Sequence, residues 1–169
     1  MIILETERLI LRLLTKNDQQ MILTLLNEPS FIKNIGDKNV RSLTDAWEYI
    51  SNGPLAMQNS LGFSLYCCEL KNSGEVIGLS GLIKRQGIAH PEIGFAFLNK
   101  YCQKGYGFES AKAVLNYASK ALKLNTLQAI CNPDNHASSV LLTKLGFTLK
   151  KQISLEQISQ KVNLFERAI

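Results

Sequence analysis

The chain alternates between short apolar runs and longer stretches in which apolar residues recur every three or four positions. Short apolar runs are typical of strands, and the three-to-four recurrence is typical of amphipathic helices. The runs predict strands at residues 8–14, 62–70, 75–83, 92–98, 124–131, 147–153 and 162–168. The recurring pattern predicts one helix from near residue 15 to Asn27 and others at 43–59, 107–122 and 135–145.

Turn-forming residues separate these elements. Pro29 follows the first helix, Asn52-Gly53-Pro54 interrupts the second, and Gly146 is placed to stop the last. Lys71-Asn72-Ser73-Gly74 predicts a hairpin turn, because Asn and Gly tolerate positive φ. The order β-α-α-β-β-β-α-β-α-β-β predicts an α+β fold with a mixed sheet and helices on its faces. No boundary is visible, which predicts a single domain over residues 1–169.

Composition and charge narrow the function classes. Hydrophobic residues make up 46% of the 169, enough for a sizeable core, and the formal net charge is +5. The basic residues are scattered, and only Lys84-Arg85 and Lys150-Lys151 are adjacent pairs, so no nucleic-acid partner is expected. No apolar run is long enough for a membrane span, and the N-terminus lacks the basic start of a signal peptide. We therefore expect no membrane partner and a cytoplasmic location.

The cysteines predict free thiols rather than a metal site. Cys67, Cys68, Cys102 and Cys131 show no CxxC spacing. Cys67 and Cys68 are adjacent in a predicted strand and should point to opposite faces. We expect buried thiols in a reducing compartment and no bound metal.

A strand, a glycine loop and a helix follow one another between residues 92 and 122. The apolar run at 92–98 leads to a loop that contains Lys104, Gly105 and Gly107. A helix start carries unpaired N–H groups and partial positive charge, and the glycines remove side chains that would block a ligand. This arrangement is typical of phosphate and pyrophosphate sites, so it predicts a nucleotide-tailed ligand.

Six short motifs, in their order along the chain, resemble the GNAT superfamily of acyl-CoA-dependent N-acetyltransferases. Within it the chain is most similar to the RimJ/RimL-type branch, which acetylates N-terminal amines of ribosomal proteins. The resemblance covers nearly the whole chain. The motifs are Glu5–Arg12, Gly78–Leu82, Glu92–Phe95, Gly105–Ala111, Asn135–Ser139 and Lys144–Phe147.

The resemblance implies a mostly antiparallel sheet whose fourth and fifth predicted strands, 92–98 and 126–131, splay apart. The gap would admit the pantetheine arm of acetyl-CoA, which would act as co-substrate. Its amides would pair with the first of these strands, and its pyrophosphate would lie on the glycine loop. The implied cofactor-binding residues are Phe95, Ala96, Phe97, Leu98, Gln103, Lys104, Gly105, Tyr106, Gly107, Phe108, Asn132, Asn135 and Ser138.

The resemblance also implies direct acetyl transfer to a primary amine and supplies catalytic candidates. Many superfamily members carry a tyrosine general acid where this chain has Leu142, which cannot donate a proton. In the RimJ/RimL-type branch a serine in Asn-x-x-Ser takes that role, which points to Ser138, with Asn135 holding the pantetheine. Glu92 is the candidate general base, directly or through water. Ser139 is an alternative to Ser138.

Glu109 is an alternative base to Glu92, although a carboxylate in the first turn of a helix is ordinarily structural.

Other interpretations of the glycine loop have less support in the sequence. A dinucleotide-binding oxidoreductase would need a third glycine where Ser110 stands and an acidic residue within 124–132, and neither is present. The motif of P-loop nucleotide hydrolases is absent.

The sequence leaves open the alternative that the protein is a non-catalytic acyl-CoA sensor with the same fold. The acceptor, which could be a protein N-terminus, a polyamine or a small molecule, is also open, and so is the choice between monomer and homodimer.

Overall fold

Eight strands form one mixed sheet in the order β1-β2-β3-β4-β5-β6-β8-β7 in the computed structural model, which describes residues 1–169. The strands are β1 (Ile2–Glu5), β2 (Leu9–Arg12), β3 (Leu65–Leu70), β4 (Val76–Ile83), β5 (Glu92–Phe97), β6 (Thr126–Cys131), β7 (Thr148–Leu155) and β8 (Ile158–Ala168). The helices are α1 (Gln19–Asn27), α2 (Pro29–Asn34), α3 (Leu43–Ile50), α4 (Ala56–Leu61), α5 (Tyr106–Lys120) and α6 (His136–Lys144). The mixed sheet of the predicted α+β fold is confirmed.

All neighbouring strands are antiparallel except β5 and β6, which are parallel. A parallel pair needs a crossover, and α5 supplies it. The predicted hairpin turn after β3 is confirmed, with Leu70 N–H donating to Glu75 O across it. In chain order, α5 thus follows the first and precedes the second of the two strands that the sequence predicts to splay apart.

Helices pack on both faces of the sheet, as predicted. On one face α5 covers a core that includes Cys68, Ile77, Ile93 and Leu127. On the other face α1, α2 and α3 cover a second core, which includes Cys67. The neighbours Cys67 and Cys68 therefore point in opposite directions, as their places in a strand require. A third, smaller core lies under the loop that joins β4 to β5.

An ion pair fastens the start of the first helical region to the sheet. The carboxylate of Asp18, which is only 3% exposed, accepts two bonds from the Arg12 guanidinium at 2.9 Å. It also accepts the backbone N–H of Thr15 at 2.7 Å. Because each oxygen is paired, the charge is tolerated in a buried position. The contact fixes α1 against β2.

The structure corrects three element predictions. β1 was not predicted, since its apolar run is very short and lies at the sheet edge. Pro29 does end the first helix but also begins α2, because proline suits the first helical position, where no N–H is needed. The expected break at 52–54 is instead a π-helical turn over Ser51–Leu55 that links α3 to α4.

Candidate active site

The strands β5 and β6 pair at a single position and then separate. Glu92 lies opposite Gln128, and Gln128 N–H donates to Pro91 O at 3.0 Å. The Gln128 side chain also accepts the N–H of His90 at 3.1 Å, which closes this end of the strand pair. Beyond it, Gly94 to Phe97 are all partly exposed. The predicted splay between these strands is confirmed, and it leaves a cleft toward their carboxyl ends.

The glycine loop at the mouth of this cleft presents a run of unused donors. None of the six N–H groups from Gln103 to Phe108 donates to a protein acceptor, and the first helical bond in this region is Glu109 N to Gly105 O. Gln103 and Gly105 both have positive φ, +60° and +85°. Left-handed residues in a turn direct successive amides toward one side, which creates a concave anion site. The side chain of Lys104 lies exposed in the same loop.

The segment Thr6–Arg8 fastens the glycine loop from the far edge of the sheet. The Arg8 side chain donates through Nη1 to Lys104 O at 3.0 Å and through Nε to Glu109 at 2.6 Å. Thr6 Oγ1 and Arg8 N–H also donate to Glu109, at 2.6 and 2.9 Å. Glu109 is thus a structural anchor, as a carboxylate in the first turn of a helix suggests. Sequence reasoning quoted this N-terminal motif but assigned it no role.

Helix α6 packs against the start of α5. A Cβ atom built on Gly107 would stand 3.0 Å from the Leu141 side chain, so α5 and α6 meet there. Ser138 lies three residues before Leu141 and therefore on the same side of α6. Its half-buried hydroxyl forms no hydrogen bond with the protein, whereas Ser139 Oγ lies 3.3 Å from Cys131 Sγ. Ser138 is the serine with a free hydroxyl.

The two asparagines of the predicted site have different local roles. Asn135 caps α6, because its Oδ1 accepts Ser138 N–H at 3.2 Å, which leaves its Nδ2 without a partner. Asn132 is 7% exposed and donates through Nδ2 to Lys33 O at 3.4 Å. It therefore ties the end of β6 to α2, across the cleft mouth. Leu142, which takes the place of the tyrosine acid, is buried in the α5-side core.

The remaining predicted positions lie along β5 and just beyond it. Phe95 and Phe97 pack toward the α5-side core, and Ala96 and Leu98 pack toward the opposite core. Cys102, expected to be buried, is exposed in the turn before the glycine loop. Its Sγ donates to the backbone carbonyls of Phe97 and Leu98, at 3.6 and 3.7 Å.

Glu92 lies on the face of the sheet opposite α5. Its neighbour Ile93 belongs to the α5-side core, so the alternation along β5 turns Glu92 the other way. The residue is 4% exposed, and its Oε2 pairs with Arg85 Nε at 2.7 Å. Burial raises the pKa of the Glu92 carboxyl above its usual value, against the opposing effect of the Arg85 and Lys38 charges. The two positive charges therefore cancel part of the increase in pKa, and so in base strength, that burial causes.

Two further groups, Lys38 and Tyr49, surround this ion pair. Lys38 is an exposed residue. The protein atoms around its ammonium and the nearby charge of Arg85 lower its pKa, and the negative charge of Glu92 acts in the opposite direction. Burial raises the pKa of the Tyr49 hydroxyl, which is near enough to Arg85 for that charge to act against the shift. Sequence reasoning missed Arg85 and Lys38, because they come from two separate loops and follow no local motif.

The structure contains no cluster of three or more His, Cys, Asp or Glu side chains arranged to hold a metal ion. None of its helices combines the length and apolar character that a bilayer crossing requires.

Comparison with known families identifies the class. A family model described as an acetyltransferase (GNAT) domain matches residues 8–148. The chain therefore belongs to the GNAT acetyltransferase family, and it is an N-acetyltransferase enzyme. This favours catalysis over the non-catalytic acyl-CoA sensor.

Individual relatives agree with this class. The chain is similar to the uncharacterised N-acetyltransferase YoaA of Bacillus subtilis (strain 168), with 31% identity over 146 residues, 86% of this chain and 82% of the relative. In fold it is similar to an acetyltransferase from Agrobacterium tumefaciens (TM-score 0.84, 24% identity, 98% and 94% of the two chains covered). It is also similar in fold to RimL, a ribosomal L7/L12 alpha-N-protein acetyltransferase in complex with coenzyme A (TM-score 0.84, 18% identity, 100% and 98% covered). The GNAT fold implied by the sequence motifs is thus confirmed.

Proposed function

We propose that the protein transfers an acetyl group from acetyl-CoA directly to the nitrogen of a primary amine. The observation that carries this proposal is the run of six unused N–H groups from Gln103 to Phe108 beside the parted strands β5 and β6. These amides lie at a helix start and are open to solvent, so they are available to a ligand rich in acceptor oxygens. A diphosphate supplies them.

The residues of the cleft fit the remaining parts of coenzyme A. The diphosphate would lie on the amides of Gln103 to Phe108, with Lys104 adding positive charge. The pantetheine arm carries two amides, and it would pair with the unpaired edge of β5 from Phe95 to Leu98 as an added strand does. Asn132 and the free Nδ2 of Asn135 would hold it from the other wall. The bound co-substrate supplies the acetyl thioester.

Glu92 would act as the general base, directly or through water. The coenzyme would enter on the α5 side of the sheet, so the amine would approach from the opposite face, where the Glu92 carboxylate lies. Its raised pKa brings it closer to the range in which a carboxylate accepts a proton effectively near neutrality. Arg85 keeps the carboxylate oriented through the bond at 2.7 Å.

Ser138 would hold the proton that a departing thiolate needs. Its hydroxyl is half-buried and unpaired within the protein, and it lies on the side of α6 that meets the glycine loop. The first turn of α6 also directs partial positive charge toward this region, which favours a developing negative charge. Leu142, buried in the core, cannot contribute a proton.

A turnover assay tests the proposal. The full chain is incubated with acetyl-CoA and a panel of peptide N-termini, polyamines and small primary amines, and released thiol is measured together with the mass of the acetylated product. We expect thiol release that depends on at least one amine and an acetyl group on its nitrogen. Thiol release that no amine accelerates above the amine-free control would contradict the proposal.

A further inference from the structure

We propose that the amine acceptor carries a carboxylate or phosphate within a few bonds of the reacting nitrogen, and that Arg85 and Lys38 bind this anion. The inference rests on the proposed function, because it concerns the acceptor side of the same cleft. It adds the chemical class of the acceptor, which neither the family nor the relatives specify.

Two loops bring positive charge to the acceptor side. Arg85 lies in the loop between β4 and β5, and its guanidinium reaches Glu92 at the start of β5. Lys38 lies in the loop between α2 and α3, near enough to Arg85 and Glu92 for both charges to act on its ammonium. Both loops flank the face of the sheet that is opposite α5. An acceptor bound at Glu92 would therefore lie near both cations.

The donors of these two cations are mostly unused. Arg85 donates to Glu92 through Nε at 2.7 Å and through Nη2 at 3.4 Å, whereas its Nη1 donates to no protein acceptor. The Lys38 ammonium forms neither a salt bridge nor a hydrogen bond with the protein. A guanidinium has five N–H donors and an ammonium has three, so several remain for a ligand. Carboxylate and phosphate oxygens match a guanidinium best.

The charge balance of the cluster selects against a purely cationic acceptor. Glu92 is the carboxylate that faces Arg85 and Lys38, and its charge is already matched by Arg85. The positive charge of Lys38 has no matching negative charge in the cluster. It would therefore repel a second cation that binds there. A polyamine would add further positive charge. An amine with an adjacent acidic group would instead bring the one charge that the cluster lacks.

Matched acceptor pairs test this inference. Each pair keeps the amine and changes the anion: an α-amino acid and its carboxamide, phosphoethanolamine and ethanolamine, and a peptide with an acidic second residue and its amide counterpart. Spermidine is the cationic comparison. The value measured is the ratio of kcat/KM for the acidic member to that of its neutral member. We expect a ratio of roughly ten or more, since a hydrogen bond to a charged group contributes a factor of this size.

The variant Lys38→Met locates the effect without breaking any ion pair of the fold. The Lys38 charge acts on the pKa of Glu92, so its loss changes kcat/KM for both acceptors through the base. We expect kcat/KM for the acidic acceptor to fall about tenfold more than that for the neutral acceptor. Lys120→Met, at the exposed end of α5, is the matched control and should change neither. Thermal unfolding of both variants verifies that they fold.

The outcomes separate this inference from the proposed function. If no amine at all is acetylated, the proposed function fails. If amines are acetylated but the acidic and neutral members react equally, or spermidine is preferred, the anionic acceptor is ruled out. A preference for the acidic member that survives unchanged in Lys38→Met would show that the anion binds elsewhere and would overturn the assignment to this cluster.

Discussion

Two adjacent serines at the start of α6 differ in what their hydroxyls can do. Ser139 Oγ lies 3.3 Å from Cys131 Sγ, whereas Ser138 Oγ has no hydrogen-bond partner in the protein. We predict that Ser138→Ala lowers kcat by up to about 100-fold, the lower end for an acid–base contribution, with the affinity for acetyl-CoA nearly unchanged. Steady-state kinetics and calorimetry measure the two effects.

Ser139→Ala is the control for this prediction. It removes a hydroxyl of the same kind one residue away and should leave kcat within about twofold, because the Ser139 hydroxyl is directed to the Cys131 thiol and its hydrogen bond contributes little. Equal losses in both variants would indicate a structural effect of the helix start. A larger loss in Ser139→Ala would transfer the proton-donor role to Ser139.

Glu92 carries a second prediction at the scale of one residue. If Glu92 removes the proton of the ammonium form of the acceptor, the variant Glu92→Gln can use only the amine that is already neutral. Its rate should then depend on the neutral fraction of the amine. The rate deficit of Glu92→Gln should be largest in mildly acidic solution and should shrink as the pH passes the pKa of the acceptor, about 8 for an α-amine. The pH profile of kcat/KM measures this. A deficit that is the same at every pH would remove Glu92 from the proton transfer.

The residues that sequence reasoning found and missed differ in one respect. Glu92, Ser138 and the glycine loop lie in short local motifs, so neighbours in the chain reveal them. Arg8 bonds to Glu109 across 101 positions, and Lys38 comes from a different loop, near enough to Arg85 for their charges to interact. No local pattern encodes such distant contacts, so only the folded chain shows them. The roles of Glu92 and Ser138 stay predictions until the kinetics are measured.

At the scale of elements, the start of α5 depends on backbone conformation more than on side chains. Gly105 has φ +85°, and its loop aims the free amides of Gln103 to Phe108. An L side chain in the left-handed region costs about 1–2 kcal/mol, so alanine here favours a different loop conformation. We predict that Gly105→Ala weakens CoA binding at least tenfold by calorimetry.

Gly62→Ala is the matched control. Gly62 also has positive φ, +77°, at the end of α4, and no atom lies within 4 Å of an added Cβ. It should cost similar stability and leave CoA affinity unchanged. Equal CoA affinity in Gly105→Ala and Gly62→Ala would mean that the loop does not hold the coenzyme.

The predictions of helices and strands were correct where the segment was long enough for its apolar pattern to be recognised, or where its turn residues were distinctive. The helix over 107–122 and the hairpin at 71–74 were predicted because their apolar spacing and turn residues are clear. β1 has four residues, and α2 has six beginning at a proline, so the apolar pattern of each is too short to be recognised. Pro54 suggested a break because it has no N–H to donate to a helical hydrogen bond. The π-helical turn after α3 nevertheless contains it.

At the scale of the whole molecule, the pairing of Asp18 with Arg12 joins the helical region to the sheet. Burial alone would raise the pKa of Asp18, but the hydrogen bonds from Arg12 and Thr15 outweigh it and hold the pKa below its usual 3.8. A lowered folded-state pKa contributes stability above the unfolded pKa, and that stability is lost as the pH falls through the folded one.

We predict that Asp18→Asn lowers the free energy of unfolding by about 2 kcal/mol at neutral pH, since it breaks a charged, buried hydrogen-bond set. The difference from the natural protein should shrink as the pH falls below about 4. Denaturant unfolding at a series of pH values measures it. Asp134→Asn, at an exposed position, is the control and should show no difference. A pH-independent loss in Asp18→Asn would mean that the carboxylate charge is not what stabilises this junction.

The most direct test of the account is a crystal structure of the full chain with CoA. The account predicts diphosphate oxygens within about 3.2 Å of several N–H groups between Gln103 and Phe108, a distance normal for hydrogen bonds. It also predicts the pantetheine arm between β5 and β6. CoA bound elsewhere, with this loop empty and the strands closed against each other, would contradict it.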